Sequence, residues 1–166
     1  MELHGNVDTR MRRLAEGELD GIVLAAAGLR RLGRDSEIGF RFGLMALTPA
    51  PGQGSLILQG RGDDATVAAR AAAITDREAL VELSAERAAV GGLDASCQTP
   101  VGVCARHRDG ALEILGYAGL PDGSEHVAEA VEGDPEQPVA LGEALVERMA
   151  AVGALKLLAR AEELSR

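Results

Sequence analysis

The loop at residues 95–102 contains the side chain best suited to covalent chemistry. Cys97 lies in the small-residue stretch Ala-Ser-Cys-Gln-Thr-Pro-Val-Gly, directly before an apolar run that predicts a strand. A cysteine thiolate is a good nucleophile where its surroundings lower its pKa, so Cys97 is a candidate covalent attachment point. A cysteine without such a context is more often a small core residue, and we interpret Cys104, with its alternating apolar neighbours, in that way.

Arginine supplies almost all of the positive charge, and its guanidinium suits one kind of recognition. Among the 17 Lys and Arg residues Lys156 is the single lysine, and residues 1–44 hold seven arginines against seven acids. Because a guanidinium is planar and stays charged, it binds a carboxylate through two parallel hydrogen bonds. The preference for arginine therefore has two explanations, a biased base composition and the recognition of carboxylates.

Size, charge and hydropathy restrict the class of protein. A chain of 166 residues with 46% hydrophobic residues, 2% aromatics and no Trp forms one domain or two small ones, with a core of Ala, Val, Leu and Ile. The net charge of -9 argues against nucleic acid or an anionic membrane as the main partner. No apolar run approaches the roughly 20 residues that span a bilayer. With two cysteines and no signal peptide, we expect a soluble cytoplasmic protein.

Two further kinds of site are not supported by the motifs. The three histidines lack the spacing of metal ligands, so we predict no metal site. Gly52-Gln53-Gly54 suggests a phosphate-binding loop but lacks the Lys-Ser/Thr that such a loop requires. We therefore predict no nucleotide site.

The N-terminal third of the chain predicts an α/β unit. Asn6 suits the N-cap of a helix over residues 7–16, which Gly17 ends. The apolar run at residues 21–25 predicts a buried strand, and residues 29–32 predict a short second helix. A helix, a buried strand and a helix in this order are typical of a parallel α/β sheet.

The middle of the chain predicts a connector, a strand and two helices. The Pro- and Gly-rich residues 43–54 lead to a strand over residues 55–59 and to an Ala-rich helix over residues 63–73. Thr75-Asp76-Arg77-Glu78 matches a capping box with Thr75 as the N-cap, which starts a helix that runs to about residue 90.

The remainder predicts an antiparallel sheet followed by helix. Three strands are expected, over residues 101–106, 112–118 and 126–131. Asp109-Gly110 predicts a tight hairpin between the first two, and Pro121–Ser124 predicts a turn between the last two. A helical region over residues 138–165 has Gly153 as its break. The fold class is therefore α/β plus α+β: a partial α/β part, then a C-terminal three-stranded antiparallel sheet with helices.

Six motifs, in the right order over nearly the whole chain, resemble those of the porphobilinogen deaminase (hydroxymethylbilane synthase) family. Each motif alone is modestly specific, but coincidence does not produce six in order. They are His4-Gly5-Asn6-Val7-Asp8-Thr9-Arg10, the segment at residues 22–33, the Pro-Ala-Pro-Gly-Gln-Gly turn at residues 49–54, Ala85-Glu86-Arg87-Ala88, the loop of Cys97, and the Pro-Asp-Gly-Ser turn at residues 121–124.

The resemblance implies chemistry on polycarboxylates. Enzymes of this family join four porphobilinogen units head to tail, with release of ammonia, onto a dipyrromethane cofactor. By the match, Cys97 carries that cofactor as a thioether, and Arg10 and Arg31 hold carboxylates of the cofactor or of the growing linear oligomer. Gln53 would lie beside the cleft, and His4 occupies the position of a further family arginine.

The resemblance also implies three parts of a larger enzyme. Residues 1–54 correspond to part of a central, periplasmic-binding-protein-like α/β domain. Residues 55–74 correspond to a strand and helix of the first domain, and residues 75–166 to the C-terminal domain that carries the cofactor. The catalytic aspartate belongs to the first domain, upstream of Met1, so we predict no catalytic residue here. A separate polypeptide supplying that N-terminal half is an expected partner.

Two departures from the family pattern leave an alternative open. His4 replaces an arginine, and Ala95-Ser96 replace the Gly-Gly that precedes the family's cysteine. Both changes favour a non-catalytic remnant, a pyrrole-binding module with the same fold. A pigment bound covalently to Cys97 distinguishes the enzyme from the non-catalytic module, because we expect it only in the enzyme.

Overall fold

The chain folds into two compact units, Met1–Phe42 (unit 1) and Gly43–Arg166 (unit 2). The computed structural model describes residues 3–96 and 99–164. No helix within those ranges combines the length and the apolar character needed to cross a membrane. The predicted boundaries after residues 54 and 74 stay predictions.

Unit 1 is built on two short helices. Helix α1 spans Val7–Ala15 and begins as predicted, since the Asn6 side chain accepts a hydrogen bond from the Thr9 amide at 2.9 Å. Helix α2 spans Ala26–Arg31, and a single 3-10 turn follows at Asp35–Glu37. One residue of each helix is buried, Met11 in α1 and Leu29 in α2.

The strand predicted over residues 21–25 is wrong: these residues form no strand, and Val23 is 66% exposed. An apolar run becomes a strand only where a neighbouring strand receives its backbone hydrogen bonds, and unit 1 contains no strand within residues 3–42. The second helix begins three residues earlier than predicted. Ala26 and Ala27 explain the earlier start, because alanine is the best helix former.

Unit 2 begins with the connector and two helices. Helix α3 spans Ala65–Ala73 and helix α4 spans Arg77–Gly92. The N-cap of α4 is Asp76, whose carboxylate accepts from the Ala79 amide at 3.1 Å. The predicted N-cap, Thr75, is therefore wrong; its hydroxyl donates to the Ala71 carbonyl at 2.9 Å, at the end of the preceding helix. The strand predicted over residues 55–59 is also wrong, since these residues form no ladder.

A three-stranded antiparallel sheet follows, as predicted. Its strands are β1 (Val101–Arg108), β2 (Ala111–Gly119) and β3 (His126–Gly133), in spatial order β1-β2-β3. In the register, Cys104 lies opposite Leu115, and Leu115 opposite Ala130. Asp109 and Gly110 have φ values of 52° and 87°, which is the backbone of the predicted two-residue hairpin turn.

Helices α5 (Pro138–Ala151) and α6 (Ala154–Leu164) complete unit 2. The predicted break is confirmed, because Gly153 has a φ of 93° that a residue with a side chain adopts only with strain. The core lies between one face of the sheet and α4, α5 and α6. Its fully buried side chains include Val103, Leu112, Ile114, Leu145 and Met149.

Helices α4 and α5 approach closely at one glycine. A Cβ on Gly142 would contact the Ala85 carbonyl oxygen, and would lie 2.8 Å from the Ala88 Cβ and 3.0 Å from the Ala89 amide nitrogen. Two of these three atoms belong to backbone, which cannot rotate away. The contact therefore requires a residue without a side chain.

We predict that Gly142→Ala lowers the free energy of unfolding by about 1–3 kcal/mol, because the two helices must move apart. Gly91→Ala is the matched control, since Gly91 lies in α4 and a Cβ there meets nothing within 4 Å. The control should be neutral or stabilise by up to about 1 kcal/mol through helix propensity. Urea unfolding of the 166-residue chain, followed by circular dichroism, measures both; equal effects would contradict the close helix contact.

Candidate functional site

Most arginines of unit 1 are neutralised by a carboxylate. Five of the seven arginines in residues 3–42 form ion pairs, with nitrogen–oxygen distances of 2.6–3.1 Å. The largest pKa shift among these arginines is at Arg34, where hydrogen bonding to Glu37 raises the pKa of the guanidinium and lowers that of the Glu37 carboxyl. The pairs are Arg12–Glu16, Arg13–Glu18, Arg30–Asp35, Arg34–Glu37, Arg34–Asp8 and Arg41–Asp35.

The two arginines left without a carboxylate partner, within the described part of unit 1, are Arg10 and Arg31. Arg10 lies in α1, and its Nε donates to the Gly5 carbonyl at 2.9 Å. Gly5 has a φ of 109°, a conformation that favours glycine. Arg31 is the last residue of α2 and is exposed. These are the two arginines that the sequence predicted as carboxylate ligands.

The other predicted site residues are distributed between the two units. His4 is exposed in unit 1, one residue before the glycine that Arg10 contacts. Cys97 lies outside the described residues, but its neighbours belong to unit 2. There the Ser96 amide donates to the Thr99 hydroxyl at 2.9 Å, and Thr99 is buried.

Gln53 lies in a turn whose polar groups are largely bonded to each other. The side-chain Oε1 of Gln53 accepts from the Ala50 backbone amide at 3.2 Å, and the backbone amide of Gln53 donates to the Ala50 carbonyl at 3.1 Å. Gly52, with a φ of 67°, permits this turn. Gln53 lines a groove of about 720 Å³, here named the connector groove, that lies between residues 49–58, the end of α3, α4 and β1.

Glu86 holds the turn and the sheet together, a role that the sequence did not reveal. Its carboxylate is buried, with the residue only 7% exposed, on the inner face of α4. Oε2 accepts from the Gly52 amide at 2.6 Å, and Oε1 accepts from the Ala105 amide at 2.9 Å. Burial raises the pKa of Glu86, the two amide bonds oppose this rise, and the nearby charge of Glu82 adds to it.

Glu82 makes a second bridge one helical turn before Glu86. Its Oε1 accepts from the His107 amide at 2.9 Å and lies 3.1 Å from the Nδ1 of the same residue. A third outward amide of β1, that of Val103, donates to the Pro49 carbonyl at 3.0 Å. The helix and the connector thus occupy the outer edge of β1.

Cys104 also lines the connector groove and is half-buried. Burial, followed by the charges of Glu86 and Glu82, raises the pKa of its thiol to about 11. At neutral pH this thiol is therefore protonated and a poor nucleophile. Within residues 3–96 and 99–164 no three His, Cys, Asp or Glu side chains are arranged to hold a metal ion.

We predict that Glu86→Gln destabilises the chain by about 1–3 kcal/mol at neutral pH, because an amide has one acceptor oxygen for two buried donors. Glu82→Gln is the matched control: a single oxygen of Glu82 takes both bonds, so the amide can keep them. The control should cost less than about 1 kcal/mol. Urea unfolding distinguishes them, and equal losses would contradict the bridging role.

A comparison of the unsubstituted chain with Glu86→Gln also predicts how stability depends on pH. Burial raises the folded-state pKa of Glu86 above its unfolded value of about 4.3. The folded chain therefore binds this proton more tightly, and the associated stability is present below about pH 4.3 and lost as the pH rises through the folded pKa. The stability of the unsubstituted chain minus that of Glu86→Gln should fall with rising pH; an increase would show that the amide bonds outweigh burial.

The arginines of unit 1 and the carboxylates of the connector groove are suited to different roles. Unit 1 offers two guanidinium groups that can bind carboxylates bidentately. In the connector groove the carboxylates of Asp76, Glu82 and Glu86 all accept hydrogen bonds from backbone amides, so their role there is structural. The arginines of unit 1, and not these three carboxylates, can therefore hold a polyanionic ligand.

Comparisons with known proteins agree with these motifs. The family model described as "Porphobilinogen deaminase, dipyromethane cofactor binding domain" matches residues 1–69, and "Porphobilinogen deaminase, C-terminal domain" matches residues 80–151. The porphobilinogen deaminase of Campylobacter concisus is 36% identical over 99% of this chain and 54% of its own length. That of Thiobacillus denitrificans is 40% identical over 94% of this chain and 51% of its own length.

A probable porphobilinogen deaminase of Hyperthermus butylicus is 43% identical over 84% of this chain and 46% of its own length. The chain thus spans about half the length of the curated relatives it matches. Two models of one family cover most of the sequence, and the relatives carry one name across distant organisms. The chain therefore belongs to the porphobilinogen deaminase family.

Proposed function

We propose that this chain is the cofactor-carrying portion of a hydroxymethylbilane synthase, a transferase of tetrapyrrole and heme biosynthesis. Its substrates are porphobilinogen and the linear oligomers built from it, and its cofactor is dipyrromethane, bound covalently through Cys97. The match of residues 1–69 to a cofactor-binding family model supports this proposal.

The observation that carries the proposal is the selective pairing of arginines. A pyrrole chain with acetate and propionate side chains is a polycarboxylate, so its site needs guanidinium groups that internal acids have not neutralised. Within the described part of unit 1 only Arg10 and Arg31 meet this requirement. Both stand at the positions that the family motifs mark.

The residues present suit a dipyrromethane. By the resemblance, Arg10 and Arg31 would hold its carboxylates, and His4 and Gln53 would be further cofactor-binding residues. When bound, the dipyrromethane supplies the pyrrole to which the first porphobilinogen is joined. By the resemblance, the acid–base residue lies in the half of the family's proteins that this chain does not span.

The finer organisation follows from the same proposal. Residues 1–54 would be part of a periplasmic-binding-protein-like domain, residues 55–74 would belong with the first domain, and residues 75–166 would present the cofactor. A separate N-terminal half would be the partner, and both would lie in the cytoplasm.

We predict that Arg10→Gln and Arg31→Gln each weaken porphobilinogen binding about tenfold or more, since each removes a charge-assisted contact. Arg30→Gln is the matched control, because Arg30 precedes Arg31 on α2 and is paired with Asp35 at 3.1 Å. Calorimetric titration of the 166-residue chain measures the three affinities. An equal loss in Arg30→Gln, or no loss in the other two, would contradict the assignment.

Covalent attachment is tested by intact mass under denaturing conditions. We predict that the chain from its native cells is heavier than its sequence by two pyrrole units, and that Cys97→Ser removes the addition. Cys104→Ser should keep it, because the thiol of Cys104 is protonated at neutral pH. The bare mass in the unsubstituted chain would instead favour the non-catalytic pyrrole-binding module that the His4 and Ala95-Ser96 departures suggest.

A further inference from the structure

The turn that carries Gln53 is attached to both the strand and the helix beside it. The Pro49 carbonyl, at the start of the turn, accepts from the Val103 amide of β1 at 3.0 Å. The Gly52 amide, directly before Gln53, donates to the Glu86 carboxylate of α4 at 2.6 Å. The backbone on the N-terminal side of Gln53 is therefore held at two separate points.

Two glycines let this turn pack directly against its neighbours. A Cβ on Gly102 of β1 would lie 2.7 Å from the Thr48 carbonyl oxygen and 3.1 Å from the Pro49 carbonyl oxygen. A Cβ on Gly52 would lie 3.3 Å from the Leu83 Cδ1 of α4. The position of the turn is thus set by unit 2 itself, which lowers the cost of ordering it when a ligand binds.

The side-chain amide of Gln53 is oriented by the same turn. Its Oε1 accepts from the Ala50 backbone amide at 3.2 Å, so the acceptor end of the side chain is used within the turn. The Nε2, at the donor end, has no protein partner within residues 3–96 and 99–164, and Gln53 is exposed. An amide held in this way offers its two N–H donors to an acceptor such as a carboxylate.

The negative charge of Glu86 does not compete for this place. The residue is only 7% exposed, whereas Gln53 is exposed, and its two oxygens accept from the amides of Gly52 and Ala105. Glu86 therefore acts on the backbone beneath the turn and leaves the outward donor to Gln53. If the bond to Gly52 is lost, the residue next to Gln53 loses its attachment to α4.

We propose that Glu86 is a positioning residue for ligand binding: it holds the Gly52 amide so that Gln53 presents its Nε2 donor to a carboxylate of the pyrrole ligand. This inference rests on the proposed function for the identity of the ligand and for the cofactor-binding role of Gln53. It does not depend on the binding of carboxylates by Arg10 and Arg31.

The test is a double-mutant cycle on the affinity of the 166-residue chain for porphobilinogen, measured by calorimetric titration. Gln53→Ala should weaken binding about tenfold, since a charge-assisted hydrogen bond is lost. Glu86→Gln should weaken it about threefold or more, because an amide has one acceptor oxygen for two donors. The double variant should bind at most about twofold more weakly than Gln53→Ala, because Glu86 acts through Gln53.

Glu82→Gln is the matched control, since Glu82 lies one helical turn earlier on α4 and bonds to His107 and not to the turn. It should leave the affinity within about twofold of that of the unsubstituted chain. Circular dichroism checks that each variant is folded. If Glu86→Gln does not fold, Glu86→Asp replaces it in the cycle, because aspartate keeps the charge but is one methylene shorter.

The proposal is overturned if the two effects are additive, if Glu82→Gln weakens binding as much as Glu86→Gln, or if the unsubstituted chain does not bind porphobilinogen. Additive effects together with weakened binding in Arg10→Gln and Arg31→Gln would leave the proposed function standing without this inference. A non-additive cycle together with normal binding in the two arginine variants would overturn the arginine assignment and leave this inference standing.

Discussion

The outer edge of β1 is the constraint on which the organisation of unit 2 depends. An edge strand presents unpaired amides that must be satisfied or covered. Here the amides of Val103, Ala105 and His107 donate to the Pro49 carbonyl, to Glu86 and to Glu82 in turn. The edge is therefore completed by one carbonyl and two carboxylates and not by a fourth strand. This arrangement fixes α4 and the connector against the same strand.

Glu86 shows how this edge couples distant parts of the sequence. Burial of a carboxylate is costly, and two charge-assisted bonds to amides offset that cost. One of those amides belongs to Gly52, 34 residues before Glu86, so the position of the turn that holds Gln53 depends on α4. The position of the Gly-Gln-Gly turn thus has a physical reason that is separate from any contact with a ligand.

Local signals in the sequence predicted the elements that depend on local chemistry. The Asn6 cap, the Asp109-Gly110 hairpin and the Gly153 break are all properties of a few consecutive residues, and all three are confirmed. The strands expected at residues 21–25 and 55–59 fail for the opposite reason. Apolar runs report a need for burial, whereas a strand also requires a neighbour. The bridging role of Glu86 could not be predicted, because the two amides that it binds lie 34 and 19 residues away in the sequence.

The arginines that could bind carboxylates show the same difference between what local sequence predicts and what only the fold determines. Arg12, Arg13 and Arg34 each have an acid three to five positions away, which is the spacing at which helical and turn side chains meet. Arg10 has no acid at that spacing, so its availability can be deduced from sequence alone. Arg31 does have one, Asp35, but this carboxylate pairs with Arg30 and Arg41. Only the three-dimensional arrangement shows that Arg31 remains available, because competition between neighbouring cations decides which of them the acid neutralises.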